Sequence, residues 1–254
     1  MGFIPVGLQL YTLRDECDKD FKQTLKTVSE IGYKYVELAG NLGGMSPSEL
    51  KDFLGGLNIR AISAHVPIEA IEADMQAEID KALEVGCEFI VCPYLGDNWR
   101  ENAAGYQKVA SLLTEAGRVC KDNGLQMCYH NHAFEFDVFD GKTGFDILIE
   151  KSDASFLQFE LDTYWVRYAN VEPIDFIDKL SGRIPLLHIK DMADNQERRF
   201  AEIGNGILNF PDIIESALKA GCKYFIVEQD SCSKPPIESV KISYNNLKNM
   251  GFVQ

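Results

Sequence analysis

Histidine is scarce in this chain, four in 254 residues, and each follows a run of apolar residues: His65 in ISAHV, His130 and His132 in CYHNH, His188 in LLHIKD. Carboxylates take matching places: Glu37 in YVEL, Asp162 in FELD, Asp191 behind Lys190, and Glu228 and Asp230 in FIVEQD. A charged group inside or at the end of an apolar run is costly unless it is paired or holds a metal. Imidazole and carboxylate together are the donors of a transition-metal centre and equally the acid and base of a proton transfer. One histidine alone is as readily a hydrogen-bonded core residue as a ligand. Four in the same local setting point to a site. Glu160 and Asp230 read instead as salt-bridged carboxylates at a rim.

His130, Asp162, His188 and Glu228 come from four successive apolar runs, one each. If those runs are neighbouring strands about 4.8 Å apart, four inward-pointing ligands can converge on one ion. Two imidazoles with two carboxylates favour Mn, Zn or Co over Mg, which wants mainly oxygen. Open coordination positions would let adjacent oxygens of a small sugar or polyol bind, with the ion acting as a Lewis acid on an enediolate-type oxyanion.

The elements that must position these residues repeat eight times. The apolar runs are Val6–Leu13, Tyr35–Ala39, Arg60–Val66, Phe89–Leu95, Leu125–Asn131, Leu157–Trp165, Ile184–Asp191 and Tyr224–Asp230. Several are apolar on both faces, as strands of a buried parallel sheet are. Between them run helical stripes such as Phe21, Leu25, Val28 and Ile31. Ser46-Pro47 and Phe210-Pro211-Asp212 read as helix starts, and Gly32, Gly86, Gly124 and Gly221 as helix stops. Strand and helix in alternation imply right-handed parallel crossovers. Eight units in 254 residues, close to the roughly 250 typical of the class, predict a single (β/α)₈ TIM barrel domain over residues 1–254. Its active site belongs at the C-terminal ends of the strands, where all four histidines fall. The longest loop, Met192 to Asn209, carries Arg198, Arg199 and two glycines and is placed to cover the barrel mouth.

Composition removes other classes. A net charge of −14 opposes nucleic-acid binding, which depends on Lys and Arg displacing counterions. Seven widely spaced cysteines with no CxxC pair give neither a disulfide scaffold nor a cysteine zinc site. No run reaches 18 apolar residues and no leader pattern opens the chain, so the expectation is a cytoplasmic protein with no membrane partner. Self-association into a homo-oligomer is in keeping with acidic barrels, with no interface assignable.

These motifs resemble the xylose isomerase-like TIM barrels of the sugar phosphate isomerase/epimerase kind. The likeness covers essentially the whole chain, through GLQLYTLRD, GYKYVEL, SAH, YHNHAFEF, LDTYW, LLHIKD, EIGNGILNF and VEQD. It implies one divalent metal held at the ends of the last four strands, commonly by Glu, Asp, His and Glu. The last three fall on Asp162, His188 and Glu228. The first falls on His130, where ketose epimerases carry Glu. Their paired acid/base glutamates are therefore reduced here to Glu228, with His132 and Lys190 as candidates for the second proton-transfer group. His65, Glu37, Glu135 and Trp165 are candidates for contacting substrate. Arg198 and Arg199 are read as a solvated pair rather than a phosphate clamp. The resemblance implies an isomerase or epimerase acting on a ketose or keto-sugar. The alternative is a lyase or dehydratase that expels water or an aglycone from a 3-keto sugar or keto-inositol. A DNA-repair nuclease of the same superfamily conflicts with the charge and with so few histidines.

Overall fold

A computed structural model describes residues 2–254. Eight parallel strands close into a barrel: β1 (Val6–Gln9), β2 (Tyr35–Leu38), β3 (Arg60–His65), β4 (Phe89–Cys92), β5 (Gln126–His130), β6 (Leu157–Asp162), β7 (Leu186–Ile189) and β8 (Tyr224–Val227). Each strand pairs with its neighbours in sequence, and β8 closes onto β1 through Val6↔Phe225. The crossovers are α1 (Arg14–Ile31), α2 (Pro47–Gly56), α3 (Ile68–Val85), α4 (Ala103–Asp122), α5 (Gly144–Lys151), α6 (Pro173–Lys179), α7 (Phe210–Lys219) and α8 (Pro236–Asn249). The expected (β/α)₈ barrel is the fold found.

Local chemistry accounts for the boundaries. Ser46 and Glu49 form a reciprocal capping box at α2, and Pro211 opens the first turn of α7. Gly32 ends α1 with φ 125°, and a Cβ there would lie 2.6 Å from the Tyr244 ring, so both backbone and space require glycine.

All eight strands stop sooner than their sequence suggests, β1 by four residues and β4, β6 and β8 by three, and two of the stops have a visible cause. Leu10–Leu13 winds into a 3₁₀ turn, where Gln9 accepts a bond from the Tyr11 amide. Thr163–Tyr168 is a short helix rather than an extension of β6, because the Asp162 carboxylate accepts the Trp165 amide at 3.0 Å and caps it.

The barrel has two apolar compartments. One lies between strands and helices and contains residues such as Tyr129, Leu161, Leu187 and Val227. The other plugs the interior with Ile62, Phe89, Val91, Cys128, Leu186 and Ile226. Strand side chains alternate. The interior positions Cys128, Leu186 and Ile226 therefore put His130, His188 and Glu228, two residues later, on the same inner face. The plug is the floor on which the polar residues stand.

Candidate active site

Above this floor, His130 ends β5, Asp162 ends β6, His188 lies in β7 and Glu228 follows β8, and all four are buried. One donor atom from each lies within 4.8 Å of every other. Their hydrogen bonds show how the set is aimed. His188 Nε2 lies 2.8 Å from Glu37, while its Nδ1 lies 2.9 Å from Glu228 Oε2. His130 Nδ1 lies 3.0 Å from Glu160, and its Nε2 is 3.6 Å from Asp162 Oδ2. Each ring is thus held from behind on one nitrogen and presents the other to a carboxylate. Asp162 Oδ2 is 2.9 Å from Lys190 Nζ but has no directed hydrogen bond, so this buried oxygen keeps a lone pair. Mixed N/O donors, deprotonated or able to be so, with an Asp162 oxygen ion-paired to Lys190 that keeps lone pairs free, fit a divalent transition metal.

Glu160 belongs to this centre, not to a rim. It is fully buried, and its Oε2 lies 3.0 Å from His65 Nε2, 3.0 Å from His130 Nδ1 and 3.1 Å from His188 Nε2. His65, His130, Glu160 and His188 form a second group with metal-like spacing. It would use the opposite nitrogens of the two shared rings. A neutral imidazole offers one lone pair, so the two groups cannot both bind without stripping the rings to imidazolate. The arrangement fits a bed beneath one metal, in which Glu160 and Glu37 fix the ring tautomers. Burial works against charge on His65, but Glu37 and Glu160 overcome it and push the ring up to about 10.

The cavity over the centre holds about 410 Å³ and is lined by His65, His130, His132, Lys190, Glu228 and Asp230 together with Tyr11 and Tyr94. Glu37 and Glu135 do not line it. Glu37 lies below, bonded by Gln9 at 2.7 Å and by His65 and His188. Glu135 accepts the Tyr129 hydroxyl and, at 2.8 Å, the His132 amide. Burial lifts Glu135 to about 7 against those bonds. Trp165 projects from its helical turn to the edge of the cavity, its ring 5.2 Å from the His132 ring.

The two proton-transfer candidates are held in opposite states. Burial and the nearby Lys190 charge lower His132 to about 3, and its buried Nδ1 has no partner among the described residues. Lys190 is buried, which disfavours its charge. Asp162 at 2.9 Å, Asp230 at 2.7 Å and Glu228 at 2.6 Å outweigh this and hold it well above the usual lysine range. A neutral imidazole with a free nitrogen can take a proton, and a buried ammonium can give one.

Asp191 faces away and anchors the long loop. It accepts the amides of Met192 at 2.8 Å, Gly204 at 2.9 Å, Gly206 at 2.8 Å and Leu208 at 3.1 Å. A Cβ on Gly206 would meet the Asp191 carboxylate at 2.3 Å, so the close approach requires glycine.

A family model described as xylose isomerase-like TIM barrel matches residues 25–250. An inosose dehydratase of Geobacillus kaustophilus is 24% identical over 192 residues, covering 67% of this chain and 61% of that protein, less than two thirds of its length. A sugar phosphate isomerase/epimerase from Parabacteroides distasonis superposes with a TM-score of 0.86 at 23% identity, covering 100% of this chain and 96% of the other. The IolI protein with a bound zinc atom superposes at 0.76 with 13% identity, covering 98% of each chain.

Proposed function

Since the chain belongs to the xylose isomerase-like TIM barrel family, we propose that it is a divalent-metal-dependent lyase. It takes a proton from the carbon beside a carbonyl of a keto-sugar or keto-cyclitol and expels the oxygen substituent one carbon further on. The observation that carries this reading is the pairing of a neutral base, His132, with a charged acid, Lys190, on one cavity above an N/O donor cluster.

His130, Asp162, His188 and Glu228 would hold the ion, with Mn, Zn or Co preferred to Mg on donor chemistry. When bound it supplies Lewis acidity toward the substrate's carbonyl oxygen. His132, through the ring nitrogen open to the cavity, accepts the carbon-bound proton. The C–O bond breaks with its electron pair on the departing oxygen, and Lys190 Nζ gives that oxygen a proton. Glu228 and Asp162 keep Lys190 charged for this step, and Tyr11 and Tyr94 line the cavity beside it. The relatives named inosose dehydratase support elimination of water.

The isomerase or epimerase reading shares the first step and differs only in returning the proton to carbon. It is favoured by the Parabacteroides neighbour, whereas His130 in place of a glutamate leaves the symmetrical pair of epimerase bases incomplete. Incubating the metal-loaded protein with a keto-inositol in deuterated water decides between them. Loss of 18 mass units, the mass of water, supports the lyase; deuterium retained at fixed skeleton supports the isomerase; neither event with any keto-sugar tried would end both.

A further inference from the structure

The cleft does not end at the donor cluster. Beyond Trp165 a second cavity of about 430 Å³ opens, walled by Tyr164, Trp165, Tyr168 and Phe200 on one side and by Ser231 and Ser233 on the other. Tyr164 stacks on Phe200 at 4.1 Å, and Trp165 stands edge-on to Tyr168 at 5.5 Å and to Phe200 at 5.8 Å. Trp165 also stands close to residues of the first cavity: Lys190 Nζ lies 6.0 Å from its ring, and the His132 ring lies 5.2 Å away. Asp230 lines the first chamber and the next residue, Ser231, lines the second.

Two features define what the second chamber would take. Its cations are already used. Arg198 donates to Tyr168 O at 2.9 Å and to Asn170 Oδ1 at 2.6 Å, and Arg199 pairs with Glu197. The wall therefore offers aromatic faces and hydroxyls, not a phosphate clamp. The Trp165 indole nitrogen is buried and has no acceptor among the described residues. An unmet buried donor is costly, and Ser231 and Ser233 add hydroxyls on the cavity that would bond a ligand oxygen. The wall is also deliberately set: Arg198 holds φ 50°, a left-handed conformation, while its carbonyl accepts the Tyr164 hydroxyl at 2.6 Å.

We propose that this chamber is a subsite for a second, uncharged ring of the substrate, a sugar or an aryl group carrying an oxygen acceptor. The inference rests on the reading above only in placing the keto-sugar on the donor-cluster side of Trp165.

Nitrogen-15 spectra of the zinc-loaded protein test it. The chain has two tryptophans, hence two indole N–H signals. Trp99 is buried and donates to Glu69 at 3.1 Å, so its signal is an internal control, assigned with Trp99→Phe. The probes are 4-nitrophenyl β-D-glucopyranoside, cellobiose and methyl β-D-glucopyranoside. The expected result is a saturable shift of the Trp165 signal, the Trp99 signal staying still, with a two-ring probe binding about three- to tenfold tighter than the methyl glucoside. Tyr168→Ala, at a partly exposed position, should erase that advantage. A response to the aryl glucoside alone assigns an aryl group, to cellobiose alone a sugar, and to both any ring. A motionless Trp165 signal, or two-ring probes no tighter than the methyl glucoside, overturns the subsite. Deuterium exchange into a keto-sugar reads the lyase proposal independently, so either can fail while the other stands.

Discussion

At the scale of single residues, the centre is organised by groups that never touch the cavity. One Glu160 oxygen faces three imidazoles, two of them metal-ligand candidates. Such outer partners typically contribute 10–100-fold to metal affinity. Glu160→Gln should therefore weaken zinc binding by roughly tenfold in calorimetric titration, with the circular dichroism spectrum unchanged. Unaltered affinity would return Glu160 to a purely structural role. His132→Asn, in contrast, should leave metal content intact and slow proton abstraction by about 10²–10⁴-fold. A variant that keeps wild-type deuterium exchange would remove His132 as the base. The importance of Glu160 was legible in the chain, through a signal read too narrowly. It precedes Asp162 by two residues, and in a strand that spacing puts both on one face. Assigning Asp162 inward required Glu160 inward as well. The triple carboxylate grip on Lys190 was not legible, because Asp162 ends β6, Lys190 follows β7 and Glu228 and Asp230 follow β8, and they meet only when those three strands pair.

At the scale of elements, the apolar runs and helical stripes gave the eight units because periodicity is local. Their C-terminal ends were harder to read. Thr163, Tyr164, Trp165 and Val166 all have high strand propensity, yet they form a helical turn because Asp162 caps it. A side chain satisfying an amide outweighed propensity, and it moved Trp165 from the strand end to the wall of the second chamber. The same capping logic gives two predictions. Thr143 and Asp146 form a capping box at α5, and Asp146 also bonds Lys179 at 2.6 Å. Partial burial raises the Asp146 carboxyl, but Lys179 and Thr143 outweigh it and leave the group below its ordinary 3.8. A depressed carboxyl contributes stability above its unfolded value and loses it as pH falls through the folded one. Asp146→Asn should thus lower the unfolding free energy from urea titration at pH 7 by about 1 kcal/mol, and the gap to wild type should close below pH 3.8. A gap independent of pH would assign the loss to geometry instead of charge. In the long loop, Asp191→Ala strands four amides at once. It should cost about 3 kcal/mol and open residues 193–209 to proteolysis; a loop as resistant as wild type would mean that the ribbon from Asp191–Met192 to Phe200–Ala201 suffices.

At the scale of the whole molecule, the four ligand candidates come from the last four strands, and the bed beneath them adds Glu37 from β2 and His65 from β3. A cation there ties together most of the barrel's circumference, including the closure that brings β8 back to β1. Without one, Glu37, Glu160, Asp162, Glu228 and Asp230 crowd one interior with Lys190, His65 and His188 as counter-charges among the described residues, an arrangement whose desolvation is expensive. Metal binding should therefore act as folding energy. A ligand at 100 times its dissociation constant adds about 2.7 kcal/mol, and for a chain this long each kcal/mol moves the melting temperature by roughly 2–4 °C. Zinc added to chelator-treated protein should raise the melting temperature by about 5–10 °C, and His188→Ala should abolish the shift. The variant separates the centre from adventitious binding, because the −14 surface offers many weak sites that would survive the substitution. A zinc shift preserved in His188→Ala would place the stabilising ion on that surface and leave the barrel centre a hydrogen-bonded polar core.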